Sequence, residues 1–247
     1  MIGRLLLRGM LVGIVAGLLA FGFAKVFGEP MVDRAIAFEE HLAEEKGETP
    51  DPELVSREVQ STVGLATGVV VYSTGLGGLF AMAFAVVYGR VGHLRPRAVS
   101  ALLALAAFVA VYLIPALKYP ANPPSVGIPE TIGYRTGLYF FMVAFTIVAA
   151  GIAVTIGRHL SARLGKWNAT LLAGAVFIIV VAVVQALLPE INEVPAEFPA
   201  VVLWRFRLAS LGIQLVLWSG IGLLFGYLTE RSLGLTGHGS QAAVAAH

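Results

Sequence analysis

Between Gly9 and Ala24 the chain carries no charged side chain, while Arg4 and Arg8 stand before this run and Glu29, Asp33, Glu39, Glu40, Glu44 and Glu45 follow it. A run of that length, bounded by arginine on one side and acid on the other, is expected to cross a bilayer as a helix with its start in the cytoplasm. Every later span inherits its direction from this one. Apolar windows long enough for a hydrocarbon core predict six transmembrane helices, near residues 5–27, 62–88, 98–117, 135–157, 168–188 and 203–229. An even number puts both termini on one side.

Composition agrees with an all-α polytopic membrane protein: 57% of the 247 residues are hydrophobic and 13% charged, and the mean hydropathy is +0.83. The net charge of +2 does not imply nucleic acid, because the basic residues lie in short pieces at the ends of apolar runs, where they report topology. There is no cysteine, which removes disulfides, thiolate metal sites and cysteine nucleophiles together. The stretch AFGFAKVF at 20–27 lacks a small-x-small cleavage pattern, so the first span is expected to be retained.

The direction rests on density of basic residues in short loops. Arg4, Arg8, Arg90, Arg95, Arg97, Arg158, Arg163, Lys166 and Arg231 fall at the termini and in the two short even loops, where Glu230 is the one acid. The other acids fall on the opposite face. Both termini are therefore expected in the cytoplasm.

Three outer connections follow. The first, 28–60, contains Met31 to Glu45 without proline or glycine and predicts an amphipathic helix on or above the membrane, ended by Gly47 and Pro50. The second reads KYPANPPSVGIPETIG (118–133) and the third PEINEVPAEFP (189–199), and their prolines exclude regular structure. An Ile-Pro or Leu-Pro closes the third and fifth spans (Ile114-Pro115, Leu188-Pro189), and arginine opens the next (Arg135; Arg205 and Arg207). Glu29-Pro30 followed by Arg57 extends that echo to a plan of three helical hairpins, against which stands chance similarity of proline-ended segments. Residues 1–230 read as one transmembrane domain and 231–247 as a flexible tail.

Few residues suggest chemistry. His41, Glu44 and Glu45 fall on neighbouring turns of one helix face, and imidazole with carboxylates suits a first-row divalent cation; the plainer reading is a solvated acidic face. Met10, Met82 and Met142 read as packing before thioether ligands, and Gln185 and Gln214 as interhelical hydrogen-bonders before pathway lining. Gly9, Gly13 and Gly17 form a ridge for close helix packing, with Gly64/Gly68 and Gly222/Gly226 read alike. Arg135, Arg205 and Arg207 sit on the acidic side near Glu130, Glu190, Glu193 and Glu197, where they either snorkel to headgroups or pin the proline loops by buried pairing. No span holds an ionisable residue near its middle, no Walker loop or H-E-x-x-H occurs, and no enzyme is indicated.

The opening MIGRLLLRGMLVGIVAGLLAFGFAKVFGEPMVDRAIAFEE, the loop KYPANPPSVGIPETIGYRTGLYF and the later LPEINEVPAEFPAVVLWRFRLASLG together closely resemble the CbtA family of cobalt transporter subunits. The resemblance spans essentially the whole chain. It implies a bacterial inner-membrane subunit importing cobalt(II) for cobalamin synthesis, with Co2+ as cargo and no permanently bound cofactor, beside a CbtB-like single-span partner with a histidine-rich end. A homo-oligomer in the bilayer is compatible with it. The chain lacks the Met-His start of other nickel and cobalt carriers, since it begins Met1-Ile2. On this reading His41, Glu44 and Glu45 collect the cation, and Glu29, Asn122, Glu190, Asn192 and Glu193 surround the outer mouth. The competing reading is a non-transporting accessory or structural subunit of a larger complex.

Overall fold

The computed structural model describes residues 2–47, 55–90, 92–124 and 126–244, and every regular element among them is helical. Part of the predicted outer loop, 48–54, and the last residues of the predicted tail, 245–247, lie outside the described residues. Five helices are long and apolar enough to cross a membrane.

The first is continuous from Ile2 to Lys46. Helix α1 (Ile2–Phe23) passes through a π-helical stretch, Ala24–Gly28, directly into α2 (Glu29–Lys46). The predicted surface helix is thus an extension of the first span and not a separate element. Pro30, in the first turn of α2, lacks an N–H for the turn before it, and one wide turn accommodates the loss. Gly47, at φ 71°, ends the run as expected.

The second apolar helix joins α3 (Arg57–Val59), a π-helical stretch at Gln60–Gly64, and α4 (Leu65–Val87). In the third, α5 (Pro96–Ala107) runs through a π-helical stretch at Phe108–Leu113 into α6 (Ile114–Lys118). After the proline segment and a short 3-10 turn at Pro129–Thr131 comes α7 (Ile132–Leu187), and after the second proline segment α8 (Ala200–Val244). Helix α8 is traced well past the predicted end of the last span.

Helix α7 carries a non-helical residue, Gly165, at φ 74° and ψ 159°. The two halves fold back on one another there. A Cβ on Gly157 would lie 3.3 Å from that of Ala173, and Met142 and Val181 share one core, which a straight helix of that length would hold far apart.

Two compact units result, residues 1–108 with 200–247, and residues 109–199. In the first, α1 lies on α4 and α8 packs on both α1 and α5. Gly9 and Gly13 meet the backbone of Gly77 and Ser73, and Gly17 meets the Ser73 side chain, so closely that an added Cβ would overlap them. Lipid supplies no hydrophobic drive between helices, so such backbone contact is what dispersion attraction can use. Gly222 and Gly226 do the same against Ala104, Ser100 and Arg97 of α5. Phe84 and Phe225, both fully buried, meet edge-on at 5.1 Å, with Phe80 edge-on to Phe225 at 5.4 Å.

Gly64 and Gly68 behave differently from the expectation that they form a second ridge. A Cβ on Gly68 meets nothing, and one on Gly64 meets only Val59 of its own helix. The reason is angular: Gly68 precedes Gly77 by two and a half turns, which puts it on the opposite side of α4, about 180° away.

In the second unit, Ile114, Met142 and Val181 form a core flanked by Phe145, Phe177 and Val184. Pro115 offers no N–H to the carbonyl four residues back, that of Val111, and the Tyr139 hydroxyl donates to that oxygen at 3.2 Å. Gln185 Nε2 donates to the Ile114 carbonyl at 2.8 Å.

The α1–α4 contact makes a direct prediction. Gly13→Leu should destabilise the protein in detergent by ~1–3 kcal/mol through forced separation of the helices, whereas Gly68→Leu should leave thermal unfolding nearly unchanged. Equal effects of the two substitutions on the melting temperature would contradict the assignment of Gly13 to a packed face.

Candidate functional site

In the first unit, the π-helical stretches of the first two long helices face each other, and Lys25 Nζ donates to Ser61 Oγ at 3.0 Å. One turn further on, Arg57 straddles two carboxylates of α2. Its Nη2 pairs with Glu29 and lies 2.9 Å from Asp33 Oδ1, and its Nε donates to the same Asp33 oxygen at 3.0 Å. Glu29 is buried, so a guanidinium able to serve both acids is what makes its charge tolerable there.

His41 and Glu45 stand further along α2, a helical i, i+4 pair with Nε2 3.5 Å from Oε1. Both are exposed, as is Glu44. Among the described residues no group of three or more His, Cys, Asp or Glu side chains is arranged to hold a metal ion. Glu29, His41, Glu44 and Glu45 belong to the first unit, Glu190 and Glu193 to the second.

In the second unit the proline segments clasp each other. The Tyr119 hydroxyl donates to the Pro189 carbonyl at 3.1 Å, and the Ile128 N–H donates to Glu193 Oε2 at 2.8 Å. Arg135 Nε lies 3.3 Å from that oxygen, with both side chains largely buried. Gly127 lets the guanidinium in: its φ is 118°, and a Cβ there would overlap Arg135. The Ile128 N–H, then the Thr131 hydroxyl and the Arg135 charge, hold the Glu193 carboxyl below its ordinary value. Asn122 is half-buried, and Glu190 and Asn192 are exposed.

Arg205 sits at a cavity of about 340 Å³ in the first unit, beside Phe23, Phe27, Pro30 and Met31, and Arg207 is half-buried. At the other end of α8, Arg8 Nη1 donates to the buried Thr229 hydroxyl at 3.2 Å, and Arg97 Nε lies 3.1 Å from Glu230 Oε1. The Arg97 guanidinium also lies 4.9 Å from the centre of the Tyr227 ring.

Sequence reasoning missed the Arg57 clasp and the Arg97–Glu230 pair. The signal for both was present: Arg57 is a base among the acids of the outer face, and Glu230 is the one acid on the basic face, so each called for a local partner.

Glu193 gives a pH prediction with a fixed sign. Its folded pKa is lowered, so its stabilisation of the loop clasp is fully present above the unfolded value of about 4.5 and is lost as pH falls through the lower folded value. Amide exchange at Ile128, corrected for intrinsic rate, should stay protected from neutral pH down to about 4.5 and open below it. Glu193→Ala should open it at every pH. Protection lost already above pH 5, or retained in the alanine variant, would contradict the role given to this carboxylate.

No curated protein and no solved structure matches the chain. The sequence profile described as "Probable cobalt transporter subunit (CbtA)" matches it from residue 2 to residue 230, across all five long apolar helices. The chain therefore belongs to the CbtA family of cobalt transporter subunits.

Proposed function

We propose that this chain is the membrane-embedded subunit through which cobalt(II) enters a bacterial cell for cobalamin synthesis, working beside a CbtB-like partner with one span and a histidine-rich end. The family match over residues 2–230 carries this reading. The turn of α7 at Gly165, which gives each of its apolar halves a crossing, supports six crossings of the cytoplasmic membrane in this proposal. The basic turn between them, with Arg158, Arg163 and Lys166, supports cytoplasmic termini. An inward-negative potential of about 100 mV favours entry of a divalent cation by ~4.6 kcal/mol, so uptake needs no ATPase in this chain.

Glu29 in the first unit and Glu193 in the second act in this proposal as struts, each of its own segment and each engaged by an arginine. His41 and Glu45 remain as collectors: two adjacent donors and water make a weak, fast-exchanging station, and the partner supplies further imidazoles. Glu44 stands with this pair in the first unit, and Glu190, Asn122 and Asn192 belong to the proline segments of the second. An accessory subunit would dock through a free face, and the glycine ridges at Gly9, Gly13, Gly17, Gly222 and Gly226 are filled from within the chain, while Gly64 and Gly68 meet no other helix.

Uptake of cobalt-57 by cells expressing the chain with the partner should exceed that of vector controls. His41→Ala with Glu45→Gln should slow it at limiting cobalt by about tenfold, the equivalent of ~1.4 kcal/mol. Uptake equal to the control, with the protein present in the membrane, ends the proposal. Normal uptake by the double variant ends the collector role alone.

A further inference from the structure

The second unit contains an open cavity of about 570 Å³ between the two halves of α7, the volume of a site for one small ligand. Ala150, Ala153, Gly157, Ala173 and Gly174 line it, small residues that leave a trough where larger ones would close the hairpin, with Phe177 beside them. Arg158 and Lys166 stand at its end nearest the turn. The trough runs along α7 from Ala150 to Ser161, about 16 Å at helical rise, which is long enough for much of an acyl chain.

We propose that this trough binds an anionic phospholipid, with the phosphate at Arg158 and Lys166 and one acyl chain along the alanine and glycine floor. Charge complementarity selects the occupant. The sequence from Ile132 to Leu188 contains no aspartate or glutamate, while Arg158, Arg163 and Lys166 cluster within its turn. A phosphodiester supplies the negative charge, and the bilayer supplies it attached to a chain that fits the floor. The two hydroxyls at the rim are donors to their own helix, Ser161 to the Arg158 carbonyl at 2.7 Å and Thr170 to the Lys166 carbonyl at 2.8 Å, so the cations carry the recognition.

Two further observations point to the same depth. Trp167, beside the turn, is 76% exposed, a position that an indole takes at the headgroup level of a bilayer. Ile152, Val154 and Ile178 on the same hairpin are more than half exposed, so the trough opens among side chains suited to hydrocarbon. A second copy of this chain would bring another basic turn to a symmetric contact here, placing like charges together. The inference needs the hairpin to be embedded in a bilayer but is independent of cobalt transport.

The test uses the full chain in detergent, with native mass spectrometry after addition of dioleoylphosphatidylglycerol or dioleoylphosphatidylcholine. The phosphatidylglycerol adduct should be favoured over phosphatidylcholine by at least about tenfold, and Arg158→Gln with Lys166→Gln should remove that preference. Ala153→Leu, which fills the floor without changing charge, should lower retention of the phosphatidylglycerol adduct. Arg90→Gln should leave the preference intact, and lipid-free melting temperatures identify any variant that fails to fold. Equal retention of the two lipids, an unchanged preference in the double glutamine variant, displacement by inorganic phosphate, or a dimer cross-linked through position 153 would each overturn the proposal. Because no readout involves cobalt, failure here leaves the transport reading standing.

Discussion

In hydrocarbon, a peptide group that leaves its helical partner finds no water to replace it, and each orphaned carbonyl costs several kcal/mol. That constraint accounts for more of this protein than any other. It explains why the regular elements are all helical and why Pro30 and Pro115 are met by wide turns and not by breaks. It also explains where polar side chains at depth are spent. Tyr139 donates to the Val111 carbonyl, Gln185 to that of Ile114 and Ser100 to that of Gly222, so each ties its own helix to a second one through a backbone carbonyl.

Charge is handled by a complementary rule. Partly buried ionisable groups have opposite neighbours: Arg57 with Glu29 and Asp33, Arg135 with Glu193, Arg97 with Glu230. Arginine suits these positions because its planar fork presents several N–H donors in a fixed geometry, so that Arg57 reaches Glu29 and Asp33 together. In this member of the family Glu29, Asp33 and Glu193 are partly neutralised by guanidinium. The His41–Glu45 pair, by contrast, lies exposed along α2.

Much of this was legible in the residues. Uncharged runs and basic loops predicted the helices, and buried pairing was one of the two readings given to Arg135, whereas the Arg57 pair was not foreseen. The ridge of Gly9, Gly13 and Gly17 indicated close approach, but its partner was not readable. Gly64 and Gly68 have the same spacing and meet no other helix, because spacing fixes a face and not what lies opposite. The predicted separate surface helix failed for a related reason: proline marks a lost hydrogen bond, yet a π-helical turn can absorb it and keep the axis continuous.

By itself, then, the sequence determined the solvent, the class of secondary structure and the family, because hydropathy over a span and the order of residues in long strings are local properties. Only the tertiary structure decided which glycines touch, which acid each arginine takes, and that the two halves of α7, expected as two spans, leave an open trough between them. Those outcomes depend on which helices are brought together, since a contact between residues as distant in the chain as Gln185 and Ile114 is set by packing geometry that no local pattern encodes.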